Sequence, residues 1–528
     1  MRFLPFGTDA VLIEAGDLGA AMAVRAALVA AGVPGVTEVT SAAQTVLVRL
    51  RPELADLDRL RAVAAQGARA AHAGVAALGE TIEIPVRYDG RDLAEVAALV
   101  SLDVDEVVRR HSAATYRVAF TGFAPGFAYL TGGDAVLAVP RRATPRTQVP
   151  AGAVAVAGPY SAVYPRAGAG GWQLIGRTST PLWSTGATPP ALLRPGHGVR
   201  FVAVDELPAV AAPAPGEDRG PAAAAARVLR AATPALVQDL GRSGAADSGV
   251  PPGGAMDREA FRRANRLVGN PPDAAAIEVA GGGFALRAER ALVVAVTGAA
   301  GPLTRTDVGG RPCDVPADEA VALDPGETLA LGAPTRGVYR YVALRGGVDA
   351  RAELGSRATD VLSGLGPDPL RAGDALSLRG RAVAATAASA AGRALPSADD
   401  VLTVRVVRGP RDDWFGDDGW RALVGQEWTV TTQSNRVGIR LRGAQAIGRC
   451  RPGELPSEGM VRGAIQVPPD GAPVVFAADH PVTGGYPVIA TVTADDMDLL
   501  AQAPAGARVR LRAVAPARAH TDTEGDAR

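Results

Sequence analysis

Near the C-terminus, Val437, Ile439 and Leu441 alternate with Arg436, Gly438, Arg440 and Arg442. A period of two predicts a strand with one apolar face and one face of arginines. Ser434 and Asn435 stand where that strand leaves a turn. The first 80 residues carry two helical stretches, Leu18–Ala31 closed by Gly32 and Pro52–Ala73, set among strand-like Ala10–Glu14, Val36–Thr40 and Thr45–Leu50. This order predicts a small split-βαβ domain, with Thr81–Val86 as its last strand or as the lead into the next domain. Two short helices follow, Leu93–Val100 and Val104–His111, and then short apolar stretches broken by Gly and Pro as far as residue 205. Many short strands between turn signals predict a barrel or sandwich over 81–205.

Residues 206–226 are rich in Ala, Pro and Gly and read as a linker. The second half has a helix at Asp257–Val268, ended by Gly269-Asn-Pro271, and is strand-rich from Ile277 onward. A low-complexity interval at 381–400 divides it into β-barrel regions at 227–380 and 401–516, before a polar tail at 517–528 read as disordered. Gln148-Val-Pro-Ala-Gly152 resembles Gln466-Val-Pro-Pro-Asp470, and each is followed by a Gly-Gly-aromatic element, Gly170-Gly171-Trp172 and Gly484-Gly485-Tyr486. Leu193-Arg-Pro-Gly196, Leu323-Asp-Pro-Gly326, Leu370-Arg-Ala-Gly373 and Ala503-Pro-Ala-Gly506 each lead into an apolar-alternating stretch. These echoes predict one β-barrel plan used more than once.

Composition narrows the function. Of 528 residues, 55 are basic and 55 acidic, a formal net charge of zero, which argues against nucleic acid or an anionic membrane as partner. Every basic side chain is arginine; the chain has no lysine. A P-loop lysine, a Schiff base and covalent biotin on this chain are therefore excluded. Two cysteines, Cys313 and Cys450, make no disulfide framework and indicate a reducing compartment. The five histidines show no metal-ligand spacing, so no metal site is read. With no apolar run approaching 18 residues and no signal-peptide core, the chain is read as cytoplasmic.

Arginine presents a planar fork of donors that suits carboxylate or phosphate, so the Arg436–Arg440 row points to a small anionic substrate; the plainer reading is a solvated sheet face. The Gly-Gly pairs allow close approach of backbone to a ligand with Trp172 and Tyr486 as stacking walls, against the alternative of a bulge under a core ring. Arg141, Arg142 and Arg146, between prolines, form a rigid candidate clamp for an anion. His111 is a helix-terminal cation or a base, and His480 follows Asp479, a neighbour that points to the opposite face of a strand. Arg242 flanks a tight turn with Asp239, and Glu458 lies in another motif-like stretch. No Gly-x-Ser-x-Gly elbow is present, which argues against a serine hydrolase.

Phe120-Thr-Gly-Phe-Ala-Pro-Gly-Phe127, Pro140-Arg-Arg-Ala-Thr-Pro-Arg146 and Gly170-Gly-Trp-Gln-Leu-Ile-Gly176 resemble the B subunit of 5-oxoprolinase, the allophanate hydrolase subunit 1 family. Asp239-Leu-Gly-Arg242, Gly254-Ala-Met-Asp257, Ser434-Asn-Arg436, Ser457-Glu-Gly459, Gly463-Ala-Ile-Gln-Val-Pro468 and Thr483-Gly-Gly-Tyr-Pro487 resemble the C subunit. The order is that of a B–C fusion. The family is also akin to the carboxyltransferase domain of urea carboxylase. The resemblance implies a mainly β fold with α+β character, tandem cyclophilin-like β-barrel domains preceded by the split-βαβ domain. It implies opening of 5-oxo-L-proline to L-glutamate with a separate A subunit, ATP and Mg²⁺, by phosphorylation of the lactam.

Carried onto the motif positions, His111, Asn435, Arg436, Glu458 and His480 are the catalytic candidates. Tyr116, Pro125, Gly126, Arg141, Arg146, Gly170, Gly171, Trp172, Arg242, Arg440, Gln466, Gly484, Gly485 and Tyr486 are the substrate- or nucleotide-binding ones. The sequence departs from the family at Ala167-Gly-Ala before the first Gly-Gly pair and at His480, where an arginine is usual. Two other functions stay open: a carboxyltransferase for a urea-like acceptor, served by a separate biotin carrier and carboxylase, and a kinase inhibitor fused to its antagonist. A homo-oligomer is compatible with all three.

Overall fold

The computed structural model describes residues 1–73, 79–209, 223–389 and 392–515. Most of the 206–226 linker and the 517–528 tail lie outside the described residues. The N-terminal sheet is antiparallel in the order Arg2–Pro5, Ala10–Glu14, Thr45–Leu50, Val36–Ser41, under helices Leu18–Ala31 and Leu57–Ala73. Asp17 caps the first helix by accepting from the Ala20 N–H at 2.8 Å, and Gly32 ends it in the left-handed region at φ 52°. The edge strand Arg2–Pro5 has no alternation to betray it. Thr81–Val86, offered as the unit's last strand or as the lead into the next domain, takes the second role. It pairs parallel with Gly198–Ala203.

That pairing closes a seven-stranded sheet whose other end meets it through a single bridge, Arg87 to Arg177. The C-terminal barrel repeats the plan. Its first strand, Val401–Arg408, runs parallel to its last, Arg508–Ala513, and the seven strands form a closed barrel. In both, the last strand also pairs antiparallel with the second, Thr115–Thr121 in one and Glu427–Val430 in the other. The repeated turn is real as well: Gly196, Gly326, Gly373 and Gly506 hold φ of 96°, 90°, 99° and 94°, values that demand glycine. The fold is thus mainly β with tandem barrels, as expected. Between the barrels, residues 226–378 form two sheets of seven and five strands rather than a closed barrel. Helix Arg258–Leu267 lies on the five-stranded one.

The N-terminal sheet packs on the C-terminal barrel. Phe6, Ala10, Leu12 and Leu47 of the N-terminal sheet share one apolar cluster with Met460, Val461, Ala464, Phe476 and Val488 of the C-terminal barrel. Gly459 permits this approach, because a Cβ there would lie 2.5 Å from Leu47 Cβ. Gly459→Ala is expected to cost about 1–3 kcal/mol by overpacking this contact. Denaturant unfolding checks it, and an unchanged midpoint would show that the seam is loose. Among the described residues, no helix is long and apolar enough to cross a membrane.

Candidate functional site

At the place where the N-terminal sheet, the segment 240–258 and the C-terminal barrel converge, the fold leaves a cavity of about 660 Å³. Arg49, Arg258, Arg462 and His480 line it, with Thr491 beside them and Asp9, Arg51 and Ser243 at its mouth. Gly7, at φ 72°, brings the turn 6–9 so close to Thr491 that a Cβ would meet its methyl at 3.1 Å.

His480 is 1% exposed and its ring stacks on Phe476 with centroids 5.7 Å apart. Its Nδ1 lies 2.8 Å from the Pro481 carbonyl, which only accepts, so Nδ1 carries the proton. Nε2 is then a bare acceptor, and it has no partner among the described residues. Burial, with Arg49, Arg462 and Arg258 nearby, pushes the imidazole down to about 3, which keeps it neutral. Arg462 donates to the Met256 carbonyl at 2.6 Å and to Asp498 at 3.0 Å. Arg49 faces Glu38 at 3.3 Å. Arg258 makes one long bond, Nη2 to the Gly253 carbonyl at 3.4 Å, and its Nε is unpartnered among the described residues.

Behind the wall lies a buried ionic network. Arg436 grips Asp479 through Nε at 2.9 Å and Nη2 at 2.8 Å, donates to the Gly254 carbonyl at 2.7 Å, and pairs with Glu278 through Nη1. Glu278 also accepts from the Met256 N–H and the Tyr341 hydroxyl, both at 2.8 Å. Arg436 is therefore no free anion binder. The strand begins only at Gly438, so Arg436 sits in the preceding turn and faces inward, while Arg440 and Arg442 are exposed. The network fixes Asp479, and through the backbone its neighbour His480.

A second cavity of about 310 Å³ holds Glu458. Its carboxylate is clasped by Arg411, Nε at 2.9 and 3.0 Å, and Arg411 also pairs with Glu14 from the N-terminal sheet. Burial raises the Glu458 carboxyl above its usual range in spite of Arg411.

The structure separates most other sequence candidates from these cavities. His111 is buried in the first barrel, with Nδ1 2.8 Å from the Tyr88 hydroxyl and Nε2 2.9 Å from Ser161 Oγ, and its ring stacks on Phe201 beside Tyr116. Both rings are core because the helix end tucks under the sheet. Arg146 is held by Asp92 at 2.5 and 2.9 Å, and Arg141 is exposed. Trp172 is no stacking wall: it meets Phe127 and Tyr129 edge-on inside an aromatic cluster. The glycine before it serves packing, since a Cβ on Gly170 would lie 2.3 Å from the Tyr164 hydroxyl; Gly171 adjoins Pro145.

Arg242, 2% exposed, donates to the Ala358 carbonyl at 2.5 Å rather than pairing with Asp239 across its turn. Asn435 accepts from the Val437 N–H at 2.9 Å and so shapes the turn. Gln466 donates to the Tyr486 carbonyl at 3.0 Å under Gly484, whose Cβ would clash with it, while Gly485 is half-buried and Tyr486 is exposed beneath Arg449. Pro125 and Gly126 lie at the seam between the halves, where the Gly126 N–H donates to the Ser248 carbonyl at 2.9 Å. Of the sequence candidates only His480 lines the larger cavity. Sequence reasoning missed Arg49, Arg258 and Arg462; the one signal was that each interrupts or adjoins a stretch already singled out.

Residues 248–513 match the carboxyltransferase domain, subdomain A and B, and residues 1–193 match its subdomain C and D. The chain belongs to the carboxyltransferase-domain family. Within that family, the C subunit of 5-oxoprolinase from Escherichia coli (strain K12) is 35% identical over 289 residues, 53% of this chain and 88% of that protein. The match to the B subunit of 5-oxoprolinase from Escherichia coli O157:H7 is 53% identical over 124 residues, 23% of this chain and 57% of that protein. A carboxyltransferase-domain chain thus joins a B-like to a C-like part. The crystal structure of TTHA0988 superposes with a TM-score of 0.80 at 32% identity, covering 95% of this chain and 99% of that one. Both halves contribute walls to the larger cavity, Arg49 from one and Arg258, Arg462 and His480 from the other.

Proposed function

We propose that this chain is the B–C component of an ATP-dependent 5-oxoprolinase, opening 5-oxo-L-proline to L-glutamate together with a separate A subunit. The observation that carries the reading is the larger cavity, walled by the B-like and C-like parts of one chain and lined by guanidinium groups that suit an anion. In this reading the cavity holds the lactam and limits its contact with water. The energy of ring opening comes from phosphorylation of the lactam oxygen by ATP. The described residues include no group of three or more His, Cys, Asp or Glu placed to hold a metal ion. The chain also has no lysine for a P-loop. ATP and Mg²⁺ enter this reading as requirements of the assembled enzyme.

The test combines the purified chain with an A-subunit homologue, ATP, Mg²⁺ and 5-oxo-L-proline. Glutamate and ADP released in equal amounts, and only when both proteins are present, is the expected result. A formed complex that releases neither would overturn the proposal.

A further inference from the structure

We propose that the junction cavity is a site for a small carboxylic acid bearing a ring N–H, with Arg258 reading the carboxylate and His480 Nε2 accepting the N–H. This rests on the function proposed above and specifies its substrate site.

The three guanidinium groups of the wall differ in what satisfies them. Arg462 is tied to Met256 and Asp498, and Arg49 to Glu38. Glu38 is itself engaged further, accepting from the Ala246 N–H at 3.1 Å. Arg258 has no ion pair among the described residues, and its Nε donates to nothing among them. It stands in the first turn of helix Arg258–Leu267, whose N-terminal N–H groups are capped by Asp257 and Asp498. Burial and repulsion from Arg462, Arg262 and Arg49, partly offset by attraction to Asp498, lower the Arg258 pKa to about 9, a strain that an incoming anion relieves.

His480 and Thr491 line the same cavity, and the buried imidazole Nε2 of the one and the hydroxyl of the other have no partner among the described residues. Buried polar groups left unsatisfied are costly, so a ligand that completes them binds with gain. The carboxylate answers Arg258 and the N–H answers His480. An amino acid with a free ammonium is disfavoured, because it brings another cation among Arg49, Arg258 and Arg462.

The test is calorimetric titration of the full chain alone, without nucleotide or the A subunit. Three probes are compared: 5-oxo-L-proline, 2-pyrrolidinone, which lacks the carboxylate, and N-methyl-5-oxo-L-proline, which lacks the N–H. Arg258→Met is expected to weaken 5-oxo-L-proline binding by roughly tenfold or more, the worth of a charge-assisted pair, and to leave 2-pyrrolidinone unchanged. Arg258→Lys, which keeps the charge and loses the fork, falls between. His480→Phe is expected to remove the preference of the wild type for the N–H compound over its N-methyl analogue. Arg442→Gln, on the exposed face of its strand, serves as the control. Equal binding by wild type and both Arg258 variants, or equal binding of the N-methyl compound by the wild type, would overturn the site. Arg258-dependent binding with no turnover when the A-subunit homologue is added would uphold the site and remove the function. Turnover untouched by Arg258→Met would do the reverse.

Discussion

Arg436→Met is expected to destabilise the protein by about 3–5 kcal/mol, the cost of stripping the cation from a buried ion cluster. The side chains of Glu278 and Asp479 are 1% and 0% exposed, so no water compensates either carboxylate once the guanidinium is gone. The loss is not local. Arg436 and Asp479 belong to the C-terminal barrel, while Glu278 and Gly254 belong to the two-sheet region, so the arginine is a rivet between them. Adding Glu278→Gln to Arg436→Met removes one of the stranded charges, and the double variant is expected to lose less than the sum of the singles. Denaturant unfolding followed by fluorescence measures both. Additive losses would mean that the two groups are not coupled.

The second large effect is with acid. Burial holds His111 at about 3, and it is ordinarily near 6.5 when unfolded. Between those values the unfolded chain binds the extra proton, so stability is full above pH 6.5 and falls as pH drops toward 3. At pH 5 the loss from this residue is about 2 kcal/mol. His480 has the same shift and adds a similar amount. In His111→Gln the first contribution is absent. The variant is less stable at pH 7, because Tyr88 and Ser161 lose a good partner, but its deficit against wild type is expected to shrink by about 2 kcal/mol on going to pH 5. Urea unfolding at the two pH values measures it. A deficit constant with pH would show that His111 is not held neutral by the core.

The helices, most strands and the repeated barrel plan were legible because each is written in local periodicity and in glycine turns. Leu18–Ala31 matches its helix residue for residue, and the Gly196 and Gly506 turns announce the last strand of each barrel. The site was less legible, for a physical reason. Arg49 and His480 are far apart in sequence and face one cavity only because the N-terminal sheet docks on the C-terminal barrel, a contact no local pattern encodes. Alternation also misled at Arg436. It extended a strand face two residues too far, to a side chain that turns inward to Asp479. The glycines before Trp172 raised the same ambiguity, and packing against Tyr164 resolves it toward the core.

The most direct test of the account is a crystal structure of the chain with bound 5-oxo-L-proline. Density for the ligand in the junction cavity, its carboxylate against Arg258 and its ring nitrogen within hydrogen-bond reach of His480 Nε2, is the predicted result. Density in the cavity beside Glu458, or on the exposed Arg440 face, with the junction cavity empty, would contradict it.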